Sequence, residues 1–215
     1  MIFQRLEYLV GTDGLEKLNN ATVAVVGIGG VGGICAISLA RSGVGNIIIC
    51  DFDVVDITNI NRQVIANTTN VGQIKTDVLK KQILEINPNC NVIDICDKVS
   101  DKLFTYNPDY VIDAIDDVKS KIFLISECLR RKIKIISSMG AAKKMEPSKV
   151  EVIKLSKTSY DPIARILRNH FKKTDFPVVS STEAVKIKNL GSYMPVVATY
   201  GLYLSDYIIK LILRR

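Results

Sequence analysis

The residues with the clearest chemical potential form a glycine run. Gly27-Ile28-Gly29-Gly30-Val31-Gly32 closes the apolar segment 22–27 and opens a helical pattern over 30–41. At such a strand-to-helix turn, glycines permit a tight bend and let the backbone approach a phosphate, and the helix N-terminus adds partial positive charge. Asp51 ends the next apolar run, where an acid can accept hydrogen bonds from ribose hydroxyls. A nicotinamide dinucleotide is the usual expectation for this pair of features, but the residues after Asp51 point elsewhere. Asn59, Arg62 and Gln63 follow, and Lys75 begins a further helical pattern. Arginine offers a fork for phosphate and lysine a point charge, so the set suits a triphosphate better than a hydride carrier. Asp113, Asp116 and Asp117 end another apolar run and supply carboxylates of the kind that share Mg²⁺ with phosphate.

Nucleophilic catalysis finds little material. His170 is the only histidine, and it sits in a basic stretch with Arg168, Lys172 and Lys173. The five cysteines (Cys35, Cys50, Cys90, Cys96, Cys128) are irregularly spaced with no CxxC. Neither a zinc site nor a disulfide framework is expected, and most of these cysteines read as small buried hydrophobes.

The elements that must position these groups are legible as alternation. Apolar runs at 22–27, 46–51, 91–95, 109–115 and 132–138 read as strands, and 30–41, 75–87 and 119–131 as helices. That order predicts an α/β, doubly wound, mostly parallel sheet with helices on both faces. After Gly140 come an irregular crossing segment and a strand, then a helix starting at Pro162 with Asp161 as its N-cap. On that helix Arg165, Arg168 and Lys172 share one face, and Ile163, Ile166 and Leu167 are expected to pack inward. Segment 195–213 is a long apolar helix approaching the length of a membrane span. Asp206 and Lys210, one turn apart, argue instead that it packs on protein, with no membrane involved.

With 215 residues, 47% hydrophobic and 24% charged, the composition is that of an ordinary globular domain, and one domain is expected. The first residues lack the basic-then-apolar pattern of a secretory signal, which makes a cytoplasmic location the expectation. Charge is unevenly spread: residues 1–118 carry 9 Lys/Arg against 15 Asp/Glu, and residues 119–215 carry 20 against 7. The basic half implies either a polyanionic partner or a well-solvated lysine-rich surface.

Taken together, GIGGVGG, the D-x-D-x-V-x-x-x-N-x-x-R-Q stretch from Asp51 to Gln63, VGQ-x-K and DAIDD resemble the ATP-dependent adenylating enzymes of the ThiF/MoeB family, relatives of ubiquitin-activating enzymes. Within it, RLEYLVGTDGLEKL, ECLRRKIKIISSMGAA and KTSYDPIARILR are similar to the branch that dehydrates threonylcarbamoyladenosine in tRNA.

The resemblance implies a Rossmann-like fold with a C-terminal extension. Residues 1–140 would form the nucleotide-binding core, and 141–215 the crossing segment, basic helix and C-terminal helix of the same domain. It implies ATP and Mg²⁺, with Gly27, Gly29, Gly30 and Gly32 at the α-phosphate, Asp51 at the ribose and Asp53 beside it. Asn59, Arg62, Gln63 and Lys75 would hold the phosphates, Asp116 the metal, and Arg5 would reach into the partner's site in a homodimer. The implied reaction activates the threonyl carboxylate, which the carbamoyl nitrogen then attacks to give a cyclic hydantoin. Adenylation of the C-terminus of a ubiquitin-like sulfur carrier is the alternative within the family, and a sulfur-transfer protein is a candidate partner. Paired zinc cysteines and a cysteine after Cys128, found in sulfur-carrier activators, are absent. Arg165, Arg168, Lys172 and Lys173 are the candidate tRNA contacts. Relative to that branch the chain is shorter over 173–188.

Overall fold

In the computed structural model, which describes residues 2–184, 189 and 191–214, seven strands form one sheet. The strands are β1 (Thr22–Val26), β2 (Asn46–Cys50), β3 (Asn91–Ile95), β4 (Tyr110–Asp113), β5 (Lys134–Ser138), β6 (Val150–Lys154) and β7 (Pro177–Ser181). Their order is β3-β2-β1-β4-β5-β7-β6, parallel throughout except for the β6–β7 pair. The helices are α1 (Gln4–Asn20), α2 (Gly30–Arg41), α3 (Lys75–Ile86), α4 (Val118–Arg131), α5 (Pro162–His170) and α6 (Met194–Leu213).

Burial on both faces explains the continuous apolar strands. Ile47, Ile48 and Ile49 of β2 are all fully buried, and each contributes about 1.5–3 kcal/mol through removal from water. One apolar core lies between the sheet and α1, α2, α3 and α6; a second lies under α4 and α5. The close approach of α2 and α6 depends on Gly201, where a Cβ would stand 2.5 Å from the Val31 carbonyl oxygen. Helix α6 is the one described helix long and apolar enough to cross a membrane. It buries Val196, Val197, Tyr200, Leu204, Ile208 and Ile212 against this core. Asp206 and Lys210 pair at 2.8 Å on its exposed side.

Two elements were not foreseen. Residues 4–20 form α1, whose periodicity is interrupted at Gly11, in the left-handed region at φ 74. Strand β7 begins with Pro177 and ends in two serines, too short and too polar an apolar run to stand out. Between β6 and β7 the chain leaves the sheet and returns to the same place. The Leu155 N–H donates to the Phe176 carbonyl (3.0 Å), and Ser156 bonds Asp175 through both its N–H and its hydroxyl (3.1 and 2.8 Å). Within segment 173–188, residues 185–188 lie outside the described residues.

Candidate active site

Strand register sets the site. Val26 pairs with Cys50 on one side and with Asp113 on the other. Gly27, Asp51 and Ala114 therefore leave the sheet at one level, where the chain winds outward in both directions from β1 and β4. Ligands bind at such a switch point. A cleft of about 480 Å³ opens there, lined by Gly27, Gly29, Gly30, Asp51, Asp53, Asn59, Arg62, Gln63, Lys75 and Asp116, all drawn together from separate parts of the chain.

The glycines divide into two kinds. At Gly27 (φ 81) a Cβ would meet the Ala114 carbonyl oxygen at 2.7 Å, and at Gly32 the Gly27 carbonyl oxygen at 1.8 Å. At Gly30 it would strike Val197 at 2.5 Å. These three let β1, α2, α6 and the β4 loop pack, and Gly32 does not line the cleft. Gly29 is different: its Cβ would meet only Gln63 Nε2, at an ordinary 3.7 Å. Protein packing does not require glycine there, so the bare backbone at the N-terminus of α2 is open to a ligand.

Asp51 is built into this turn. Its Oδ2 accepts from the Ile28 N–H at 2.7 Å and its Oδ1 from the Asp53 N–H at 2.9 Å. Asp56 caps a short turn at Ile57–Asn59, and the Asn59 side chain returns a bond to the Asp56 N–H. Thr58 bonds hold the Asp56 carboxyl below its ordinary range. That turn carries Arg62, whose guanidinium donates to the Thr58 carbonyl at 2.6 Å. An antiparallel bridge between Val54 and Ile74 brings Lys75 alongside, where its Nζ pairs with Asp53 Oδ2 at 2.8 Å. Lys75 is only 4% exposed, more enclosed than expected for a residue at a sheet edge. The buried Gln63 Oε1 has no partner among the described residues.

The aspartates after β4 do not act as a group. Asp113 is fully buried and pairs with Lys121 of α4 at 2.8 Å, so it is not available to a metal. Asp117 caps α4, and the Ser120 N–H holds its carboxyl below the ordinary range. Asp116 alone of the three remains exposed in the cleft, with no hydrogen-bond partner among the described residues. Lys121 was missed by sequence reading. It lies in register with the apolar face Leu124, Ile125 and Cys128, and a lysine in such a stripe was the available signal. Its ammonium also donates to Ser137 Oγ (3.2 Å) and the Ser138 carbonyl (2.9 Å). It thereby ties the β4 loop to the β5 loop, whose Ser138, Met139, Gly140, Ala141 and Ala142 form the opposite wall.

A narrower recess of about 80 Å³ adjoins the cleft, sharing Gly27, Asp51, Ile115 and Asp116 and floored by Val26, Cys50 and Val99. Burial pushes the Cys50 and Cys128 thiols up to about 12 and Cys90 to about 11, so none is a thiolate at neutral pH.

Arg5 is exposed on α1 and does not line the cleft of its own chain. The basic segment is also arranged differently from the expected stripe. Helix α5 ends at His170, with Phe171 leaving helical conformation (φ −98, ψ 46), so Lys172 and Lys173 lie beyond it. Arg168 turns back to the Thr158 carbonyl (3.0 Å) and hydroxyl. Ile166 is 43% exposed rather than packed inward. Ile163 of α5 does reach the cleft wall.

A doubly wound sheet with a glycine turn, a buttressed acid after β2 and two cations at its switch point has the architecture of a nucleotide-binding α/β protein. The ThiF family model matches residues 3–215, and the chain belongs to that family. It is 49% identical over 175 residues to the tRNA threonylcarbamoyladenosine dehydratase of Bacillus subtilis, covering 80% of this chain and 69% of that protein. The dehydratase of Escherichia coli is 42% identical over 179 residues, covering 81% and 66%. The matched stretch is thus about two thirds of these relatives' length. Crystal structures of the E. coli dehydratase superpose with a TM-score of 0.95 in complex with ATP (36% identity, 99% of this chain, 93% of that one). The complex with AMP gives 0.92 (35%, 97% and 92%).

Proposed function

We propose that the chain is an ATP-dependent enzyme that dehydrates threonylcarbamoyladenosine in tRNA to its cyclic form. The observation that carries the reading is the cleft itself, in which an uncrowded glycine at a helix N-terminus faces Arg62 and Lys75. Relatives that share this fold bear the dehydratase name and bind ATP and AMP.

AMP is what an acyl adenylate releases, which favours adenylation of the threonyl carboxylate. A carboxylate oxygen attacks the α-phosphorus and pyrophosphate departs. The carbamoyl nitrogen then attacks the acyl carbon, loses its proton and expels AMP. The attack is intramolecular and needs orientation rather than an enzyme nucleophile, consistent with the burial and raised pKa of Cys50, beside the cleft. Gly29 takes the α-phosphate, Asp51 and Asp53 flank the ribose, and Asn59, Arg62, Gln63 and Lys75 hold the remaining phosphates.

Asp116 fits a Mg²⁺ role. Among the described residues no three His, Cys, Asp or Glu side chains gather to hold a metal alone. A single open carboxylate opposite bound phosphates is the arrangement magnesium uses. The ion would neutralise phosphate charge there.

The enzyme works as a homodimer in the cytoplasm, with Arg5 of one protomer completing its partner's site. Arg165, Lys172 and Lys173 contact tRNA phosphates, and Arg168 acts mainly by holding α5 in place. Mass spectrometry of tRNA nucleosides from a strain lacking the gene tests the reading. Loss of the cyclic nucleoside, with its open precursor accumulating, is expected; persistence of the cyclic form refutes it.

A further inference from the structure

Tyr160 immediately precedes Asp161, the N-cap of α5. It is 63% exposed, yet its backbone is held in the left-handed region at φ 53. A non-glycine residue is disfavoured there and persists only when its surroundings enforce it. Both flanks do so. Thr158, buried, receives the Arg168 guanidinium and donates its hydroxyl to the Leu155 carbonyl at 2.7 Å. Asp161, also buried, accepts from the Gly140 N–H at 2.8 Å and from the Ala164 N–H at 2.9 Å. Gly140 is part of the cleft wall, as is Ile163 two positions beyond Asp161. A strained, rigid mount thus presents an aromatic ring to solvent beside the cleft. Exposed cations, Lys157 and Arg165, lie on either side of it in the chain.

Among the described residues the Tyr160 side chain makes no hydrogen bond, ion pair or ring contact that would account for an aromatic in that conformation, where glycine or asparagine would be less costly. Unpaired RNA bases are recognised by stacking on aromatic rings next to basic side chains. We infer that Tyr160 is a stacking platform for an unpaired base of the RNA substrate, positioned beside the cleft that holds the reacting nucleotide. This rests on the tRNA reading above. It adds a contact that the basic residues do not supply, because stacking is insensitive to salt whereas phosphate contacts are not.

The chain contains no tryptophan, so Tyr160→Trp introduces a sole indole reporter. Titrating the full-length variant with an anticodon stem-loop RNA should quench its fluorescence, and duplex RNA of equal charge should not. Tyr160→Ala should weaken stem-loop binding about ten- to a hundredfold with an unchanged salt slope, and Tyr160→Phe should bind as wild type. Tyr160→Gly should lose the same affinity while melting at a higher temperature, because the backbone strain is relieved. ATP affinity should stay constant throughout. Wild-type affinity in Tyr160→Ala, equal loss in Tyr160→Phe, or no quenching in Tyr160→Trp overturns the assignment. If the wild-type protein itself fails to bind the stem-loop, the tRNA reading fails first and the stacking role with it.

Discussion

Lys121 and Asp113 form an ion pair of 2.8 Å in which neither side chain has any exposure to solvent. The pair closes a network: Ser137 donates to the same Asp113 oxygen at 2.6 Å, and the Ile115 N–H to the other at 3.1 Å. Both walls of the cleft hang from it. Removing one partner of such a pair strands a buried charge and costs about 3–5 kcal/mol. Lys121→Met alone should therefore lower the urea midpoint sharply, and Lys121→Met combined with Asp113→Asn should recover much of that loss. Turnover in the double variant should remain depressed, since the two loops are no longer joined. Recovery of turnover together with stability would reduce the network to a folding role.

Asp116 and Lys75 should separate chemistry from stability. Asp116→Asn is expected to cut turnover by about 10²–10³ with an unaltered melting temperature, because the side chain is exposed and bonded to nothing described. Lys75→Ala should match that loss and also cost about 1–3 kcal/mol, since it empties an enclosed space and unpairs Asp53. Steady-state kinetics at saturating ATP, read beside thermal melts, decides both.

Arg5 should act across the dimer. Mixing Arg5→Ala with Asp116→Asn under subunit exchange should restore about a quarter of wild-type turnover, because one site in each mixed dimer is intact. No recovery after proven exchange places Arg5 outside its partner's site.

Charge reversal at Arg165, Lys172 and Lys173 should weaken tRNA binding and lower the logarithmic salt slope by about two, the release expected from three phosphate contacts. ATP affinity should be unchanged. Arg168→Ala should behave differently, losing about 1–3 kcal/mol of stability through its bonds to Thr158. An unaltered slope in the triple variant would make this segment a solvated surface.

Local signals made most of the fold legible. The bounds of α2 follow from the glycine turn, and α5 starts where Asp161 and Pro162 say it should. The cleft was legible in part for a related reason: in a parallel sheet, residues just after each strand converge, so Asp51 and Asp116 could be grouped without knowing a distance, and the family resemblance added Asn59, Arg62 and Lys75. Long-range pairing was not legible. Three aspartates close in sequence read as equivalent until Lys121, on another element, took Asp113 out of contact with solvent. Lys172 was placed on α5 because a periodic pattern does not reveal where a helix stops. Ser138 to Ala142 carry no charge and so gave no chemical signal, although all five line the cleft and four of them are small.

The bonds of Leu155 to Phe176 and Ser156 to Asp175 make β6 and β7 the two sides of a clasp, from which the α5 arm is suspended. Its two ends are fixed side by side, so the arm can change length or sequence without disturbing strand register. Its inward contacts, Ala164 and Leu167 with Ile163 and Phe171 beside them, and the Asp161 tether to Gly140 constrain it. The arm is thereby separable from the strands whose ends carry the cleft. A chimera carrying another family member's arm on this clasp is expected to keep the fold and the cleft's ATP affinity, which melting and nucleotide titration would check.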